Sequence, residues 1–234
     1  MIGRVDFFDS LRFSHRRRPT QTSEPLGFVD MSETNGISLW LTPSGHESWQ
    51  LNEIIETLAK ENEGCLSFEA HVTLMSDDQL PKWSVHEIAS KVSDSISKYR
   101  EYFFSSRNII KEDLILTLEA VQSGDQFYQC VLAPIEPNQS LTRLNNCLRE
   151  LFVRNEEERS NLKPYFPHLS LVYGDLTQEQ KDGLVTKAQE LLDRQKIKGF
   201  ETIWVSIIQT TGPSNKWKRL CAINLHNGEI SWPR

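Results

Sequence analysis

Glu69-Ala70-His71-Val72-Thr73-Leu74-Met75 is the stretch on which the reading of this chain turns, because it returns in outline as Pro167-His168-Leu169-Ser170-Leu171-Val172-Tyr173. Each copy runs histidine, apolar residue, hydroxyl residue, leucine. In a strand successive side chains point to opposite faces, so His71 and Thr73 share one face while Val72 and Leu74 share the other. The same parity groups His168 with Ser170, against Leu169 and Leu171. Two such strands bury an apolar face and present an imidazole and a hydroxyl each on the other. Together they would line a cleft with two proton-transfer groups and two hydrogen-bond donors, the outline of phosphoester chemistry.

Independent placement of residues at this composition gives about 0.1 matches to the pattern per chain, and both copies in about one chain in a hundred. The pair therefore carries the signal, where one copy alone would not. Zinc binding is a weaker reading, since the second position after each histidine holds a hydroxyl and neither motif contains a thiol or carboxylate between histidine and leucine. The bland alternative is that each histidine is a structural strand residue and each hydroxyl an edge decoration.

Composition narrows the class. The chain has 234 residues, a formal net charge of -6, 38% hydrophobic and 25% charged residues. This is the profile of a globular protein, and no run approaches the roughly 20 apolar residues of a membrane helix, so no transmembrane segment is expected. The acidic balance argues against a broad nucleic-acid binder, which neutralises phosphates with clustered Lys and Arg, and no stable nucleic-acid binding is expected. A small anionic ligand remains compatible. Cys65, Cys130, Cys147 and Cys221 lie far apart with no CxxC, and read as free thiols of a reducing compartment.

Residues 1–35 differ from the rest. Arg16-Arg17-Arg18 leads into Pro19, Thr20, Thr22, Ser23 and Pro25 without a sustained apolar period, as in a disordered extension. Asp6, Asp9 and Glu24 speak against a mitochondrial presequence. From residue 36 the pattern is regular. A strand is expected over 36–42, then a helix carrying Leu51, Ile54, Ile55 and Leu58, then a strand over 66–75. Ser84 and Glu87 form a capping box for a helix with Ile88, Val92, Ile96, Tyr99 and Phe103 on one face. Strands over 114–121 and 126–132 are expected to form a hairpin around Gly124, followed by a helix with Leu141, Leu144, Leu148, Leu151 and Phe152 on one side. The charge run 155–159 reads as a solvated helix end or loop. Thr177 caps a further helix, and strands over 200–211 and 217–225 close the chain. Interspersed helices and hairpins indicate an α+β fold rather than a doubly wound sheet.

With these residues in place, His71-Val72-Thr73-Leu74 and His168-Leu169-Ser170-Leu171 resemble the two signature motifs of the two-histidine phosphoesterase superfamily. Within it the chain is most similar to the fungal and plant-type 2′,3′-cyclic-nucleotide 3′-phosphodiesterases. The likeness runs from about Ile37 to the C-terminus and includes Trp40 and Tyr173. It implies a single bilobal domain over 36–234, of two antiparallel sheets related by a pseudo-two-fold with helices on the outer faces. It also implies no metal and no cofactor, and metal-independent hydrolysis of 2′,3′-cyclic nucleotides to 2′-phosphates and of ADP-ribose 1″,2″-cyclic phosphate from tRNA splicing. The expected partner is a small cyclic phosphate nucleotide bound by a monomeric, cytoplasmic protein, with peripheral Golgi association compatible. Alternatives are an RNA 3′-end phosphodiesterase or exonuclease of the same superfamily and a non-catalytic nucleotide-binding module.

On this reading His71 and His168 are the catalytic acid and base, and Thr73 and Ser170 bind the phosphate. We take His168 as base and His71 as acid, although the near-symmetric motifs do not distinguish them. Trp40 and Tyr173 are candidates for stacking on the substrate, with core packing the competing role for Trp40. Strict alternation turns Tyr173 away from His168 unless the strand ends or bends before Gly174. Lys163, Tyr165 and Phe166 lie just upstream as candidates for the rim of the site, with ordinary surface-loop residues the default reading.

Overall fold

The computed structural model describes residues 36–103, 114–153 and 155–233, apart from the side chains of residues 98, 99 and 101–103. The extension over 1–35 and the helix-face positions of Tyr99 and Phe103 lie outside the described residues and side chains. In chain order the structure runs Ile37–Leu41 (β1), Gly45–Lys60 (α1), Val72–Met75 (β2), Val85–Phe103 (α2), Leu114–Thr117 (β3), Gln122–Ser123 (β4) and Val131–Pro134 (β5). It continues with Gln139–Phe152 (α3), Glu156–Asn161 (α4), His168–Val172 (β6), Gln178–Gln195 (α5), Gly199–Thr202 (β7), Trp204–Gln209 (β8), Lys218–Asn224 (β9) and Ile230–Ser231 (β10). The fold is α+β with antiparallel sheets, as the pattern indicates.

Eight strands form one sheet in the order β10-β9-β8-β1-β2-β6-β5-β4, and β3 pairs with β7 in a second. The two motif strands, β2 and β6, are neighbours at the middle of the larger sheet. The connectivity β1-α1-β2-α2-β3 is followed later in the chain by β5-α3-α4-β6-α5-β7, with β1–β2 and β5–β6 both antiparallel. The helices then cross over. α1, which follows β1, packs on β6, while α3, which follows β5, packs on β2. Leu51, Ile54, Ile55 and Leu58 of α1 and Leu141, Leu144 and Leu148 of α3 are buried in this way, and at about 25 cal/mol per Å² that apolar burial drives the layers together.

Local chemistry fixes the helix starts. The Ser84 backbone N–H donates to Glu87 Oε2 at 2.8 Å, and the Glu87 N–H returns to Ser84 Oγ at 3.3 Å. Thr177 and Gln180 close the same reciprocal box at α5. Among the described residues no helix is long and apolar enough to cross a membrane.

Three expectations are corrected. The hairpin around Gly124 forms with other strands than 114–121 and 126–132: Gln122–Ser123, read as the loop, is β4 and pairs with β5, Leu118 bridges to Ile135, and β3 pairs with β7. Glycine decides both places. A Cβ on Gly199 would sit 2.3 Å from the Leu116 carbonyl oxygen, and one on Gly124 would sit 2.3 Å from that of Gln129, so only glycine lets these backbones approach. The 200–211 run is two strands, since β7 leaves to pair with β3 while β8 pairs with β1. The 66–75 run is a strand only over Val72–Met75.

Candidate active site

The ladder between β2 and β6 has one registered pair, Val72 opposite Leu169. Antiparallel counting from that pair sets His71 opposite Ser170 and Thr73 opposite His168. Val72 and Leu169 are fully buried beneath the helices that pack on β2 and β6, so the four motif residues share the other face. They form a two-by-two grid. The imidazoles occupy one diagonal and the hydroxyls the other, and diagonal Cβ atoms in such a pair lie about 7 Å apart, which leaves room for a phosphate between the imidazoles.

Both motif strands carry the same irregularity. Met75 pairs with Leu39 and Thr73 with Trp40, which leaves Leu74 as an extra residue. Val172 pairs with Val131 and Ser170 with Leu132, which leaves Leu171 extra at the equivalent place. A bulge of this kind interrupts the alternation by one residue. Tyr173, beyond the end of β6, therefore returns to the face of His168, and its hydroxyl lies 3.4 Å from His71 Nε2. At the first bulge the buried Asn145 of α3 donates from Nδ2 to the Leu74 carbonyl at 2.7 Å.

Each imidazole is oriented alike. His71 Nδ1 is 2.6 Å from the Glu69 carbonyl oxygen, and His168 Nδ1 is 2.9 Å from that of Phe166. A carbonyl only accepts, so both Nδ1 atoms carry the proton and both Nε2 atoms are left for the cleft. The surroundings differ. His71 is 4% exposed, stacked on Trp40 with ring centroids 3.4 Å apart and planes 5° apart, with Phe68 edge-on. Burial lowers its pKa to about 3, the Glu69 carbonyl opposing and the nearby His168 adding to the effect. His168 is half-buried beside Phe166, and burial lowers its pKa too, against the Phe166 carbonyl. Asn52 of α1 accepts from the Ala70 N–H at 2.8 Å and steadies the approach to His71.

The structure brings His71, Thr73, His168, Ser170, Trp40 and Tyr173 to this face. Ser170 is buried and its hydroxyl donates to the Tyr128 carbonyl at 2.9 Å, while Thr73 is half-buried. Trp40 and Tyr173 arrive with their rings engaged: Trp40 lies on His71, and Tyr173 stacks on Phe68 at 3.7 Å. Both are almost fully buried. The open aromatic surface belongs instead to Tyr128, 56% exposed, and Phe166, 47% exposed. Lys163 contributes its carbonyl to Arg149.

Sequence reasoning missed Tyr128, Trp217 and Phe68. Trp217 sits 5.6 Å from Trp40 and 6.0 Å from Tyr173, on a turn far along the chain. Phe68 did leave a trace, since an aromatic residue stands three positions before each motif histidine, Phe68 and Tyr165.

A family model described as cyclic phosphodiesterase-like protein matches residues 35–225. A 2′,3′-cyclic-nucleotide 3′-phosphodiesterase of Kluyveromyces lactis is 23% identical over 217 residues, covering 82% of this chain and 99% of that protein. Its counterpart from Yarrowia lipolytica is 24% identical over 220 residues, 79% of this chain and 97% of that protein. A cyclic phosphodiesterase of Arabidopsis thaliana is 25% identical over 154 residues, 66% of this chain and 74% of that protein.

Proposed function

The chain belongs to the cyclic phosphodiesterase-like protein family, and from that premise we propose that it hydrolyses nucleoside 2′,3′-cyclic phosphates to 2′-phosphates without a metal. The observation that carries the reading is the grid set by the Val72–Leu169 pair. In-line displacement at phosphorus needs the attacking water and the departing 3′-oxygen on opposite sides, with the non-bridging oxygens between them. Imidazoles on one diagonal and hydroxyls on the other suit that arrangement. Water loses its proton to one Nε2 as its oxygen bonds to phosphorus, and the 3′-oxygen takes a proton from the other Nε2 as the P–O3′ bond breaks. Thr73 and Ser170 donate to the non-bridging oxygens, where charge grows in the transition state. Ser170 does so by turning from the Tyr128 carbonyl.

Burial divides the roles. The group more firmly neutral suits the base and the group more readily protonated suits the acid. His71, enclosed by Trp40 and Phe68, is therefore the base, and the more exposed His168 the acid, the reverse of the division taken from sequence. Trp40 holds His71 in place, and the exposed rings of Tyr128 and Phe166 receive the nucleobase. The halves on either side of the β2–β6 pair act as pseudo-two-fold equivalents, as the connectivity suggests. The same reading extends to ADP-ribose 1″,2″-cyclic phosphate of tRNA splicing, which carries the same cyclic phosphodiester.

The test is turnover, in EDTA, of a 2′,3′-cyclic mononucleotide, ADP-ribose 1″,2″-cyclic phosphate and a short oligonucleotide. Release of the 2′-phosphate is expected, with His71→Ala and His168→Ala each about 10²- to 10⁴-fold slower. Turnover confined to the oligonucleotide would point to an RNA 3′-end enzyme, and loss of all turnover in EDTA would refute the metal-free mechanism. Ligand binding without turnover would leave a nucleotide-binding module.

A further inference from the structure

The two halves of the site brace one another through the residues three positions before each histidine. Phe68, three before His71, crosses to stack on Tyr173 of the second motif. Tyr165, three before His168, crosses the other way, and its hydroxyl donates to the Thr73 carbonyl at 3.0 Å. This bond reinforces a short ladder, since β2 and β6 have one registered pair, Val72 with Leu169, and the next carbonyl, that of Leu74, is also held by a side chain, Asn145. Tyr165 is itself fixed. Arg149 of α3 lies over its ring at 5.8 Å and donates to the Lys163 carbonyl at 3.1 Å, which anchors the segment leading into β6.

We propose that Tyr165 is a positioning residue that acts through Thr73: its hydroxyl holds the Thr73 peptide beside the single registered pair of β2 and β6, and so aims the Thr73 side chain at the phosphate. This rests on the phosphate-binding role given to Thr73 above. Tyr165 does not touch the reacting atoms. Its contribution is to keep one corner of the grid at a fixed distance from His168, the residue opposite Thr73. Coupling runs from the approach to the second motif into the first, so the effect should be specific to Thr73 and absent at Ser170.

A double-mutant cycle on the full chain tests this with a 2′,3′-cyclic mononucleotide as substrate. Tyr165→Phe keeps the ring and the Arg149 contact and removes only the hydroxyl. It should lower kcat about tenfold, the scale of one lost hydrogen bond expressed in the transition state, with KM little changed. In a Thr73→Ala background the same change should have no further effect, while in a Ser170→Ala background it should keep its full tenfold cost. Equal losses in both backgrounds, or unchanged kcat in the single variant, would overturn the proposal. A Tyr165→Phe protein that fails to fold would also count against it, since a hydroxyl needed for folding is not a positioning group. If Thr73→Ala alone leaves turnover unchanged, it is the phosphate-binding role of Thr73 that fails.

Discussion

His71 and His168 are alike in sequence and unlike in surroundings, and the difference has a chemical consequence that kinetics can read. Burial beneath the stacked Trp40 ring holds His71 neutral, with its pKa down to about 3, whereas half-buried His168 is within easier reach of a proton. A base is needed whatever the leaving group, but an acid is needed only when the departing oxygen would otherwise carry an unstable charge. With p-nitrophenolate as leaving group, His168→Ala should recover most of its lost rate and His71→Ala should not. Rescue of His71→Ala instead would restore the division of roles taken from sequence. The identity of these two residues was legible because strand parity separates them from Val72 and Leu169. Their difference in surroundings was not, because it comes from Trp40 and Phe68, whose contact with His71 is made by the fold.

At the scale of elements, what was legible was what is local. The capping boxes at Ser84 and Thr177 and the helical spacing of Leu51 to Leu58 are decided within a few residues, and the helices stand where those signals put them. The Thr177 box gives a direct check: Thr177→Ala removes the acceptor for the Gln180 N–H and should cost about 1 kcal/mol in a urea melt. Turnover should be unaffected, because α5 packs on β4 and β5 away from the motif strands. A fall in kcat would show that α5 reaches the site. What was illegible was strand partnership. β3 read as a strand of the hairpin around Gly124, but the close approach of Gly199 to the Leu116 carbonyl joins it to a strand more than eighty residues on, and no local pattern reports it. The bulges at Leu74 and Leu171 were hidden for the same reason, and with them the return of Tyr173 to the face of His71 and His168.

For the whole molecule, the site is a cost borne by the fold, and pH should expose it. The folded state holds His71 with a pKa of about 3, while the unfolded chain titrates it near 6.5. Above 6.5 both states are neutral and nothing is lost. Below it the unfolded chain takes up a proton that the folded state refuses, so stability falls by about 1.4 kcal/mol per pH unit until the folded pKa is reached. His168, also lowered, adds a loss of the same sign. Glu87, held below its usual 4.5 by its bonds to Ser84, has the opposite history and loses its contribution only at lower pH, outside this window. Between pH 6.5 and 5 the His71 contribution alone amounts to about 2 kcal/mol, or about 4–8 °C in Tm for a chain of this size. Thermal melts should show that fall, and His71→Gln, which removes the titrating group, should flatten it. A wild-type Tm that stays level from pH 7 to 5 would mean that His71 is protonated in the folded protein, and the assignment of this histidine as the neutral base would go with it.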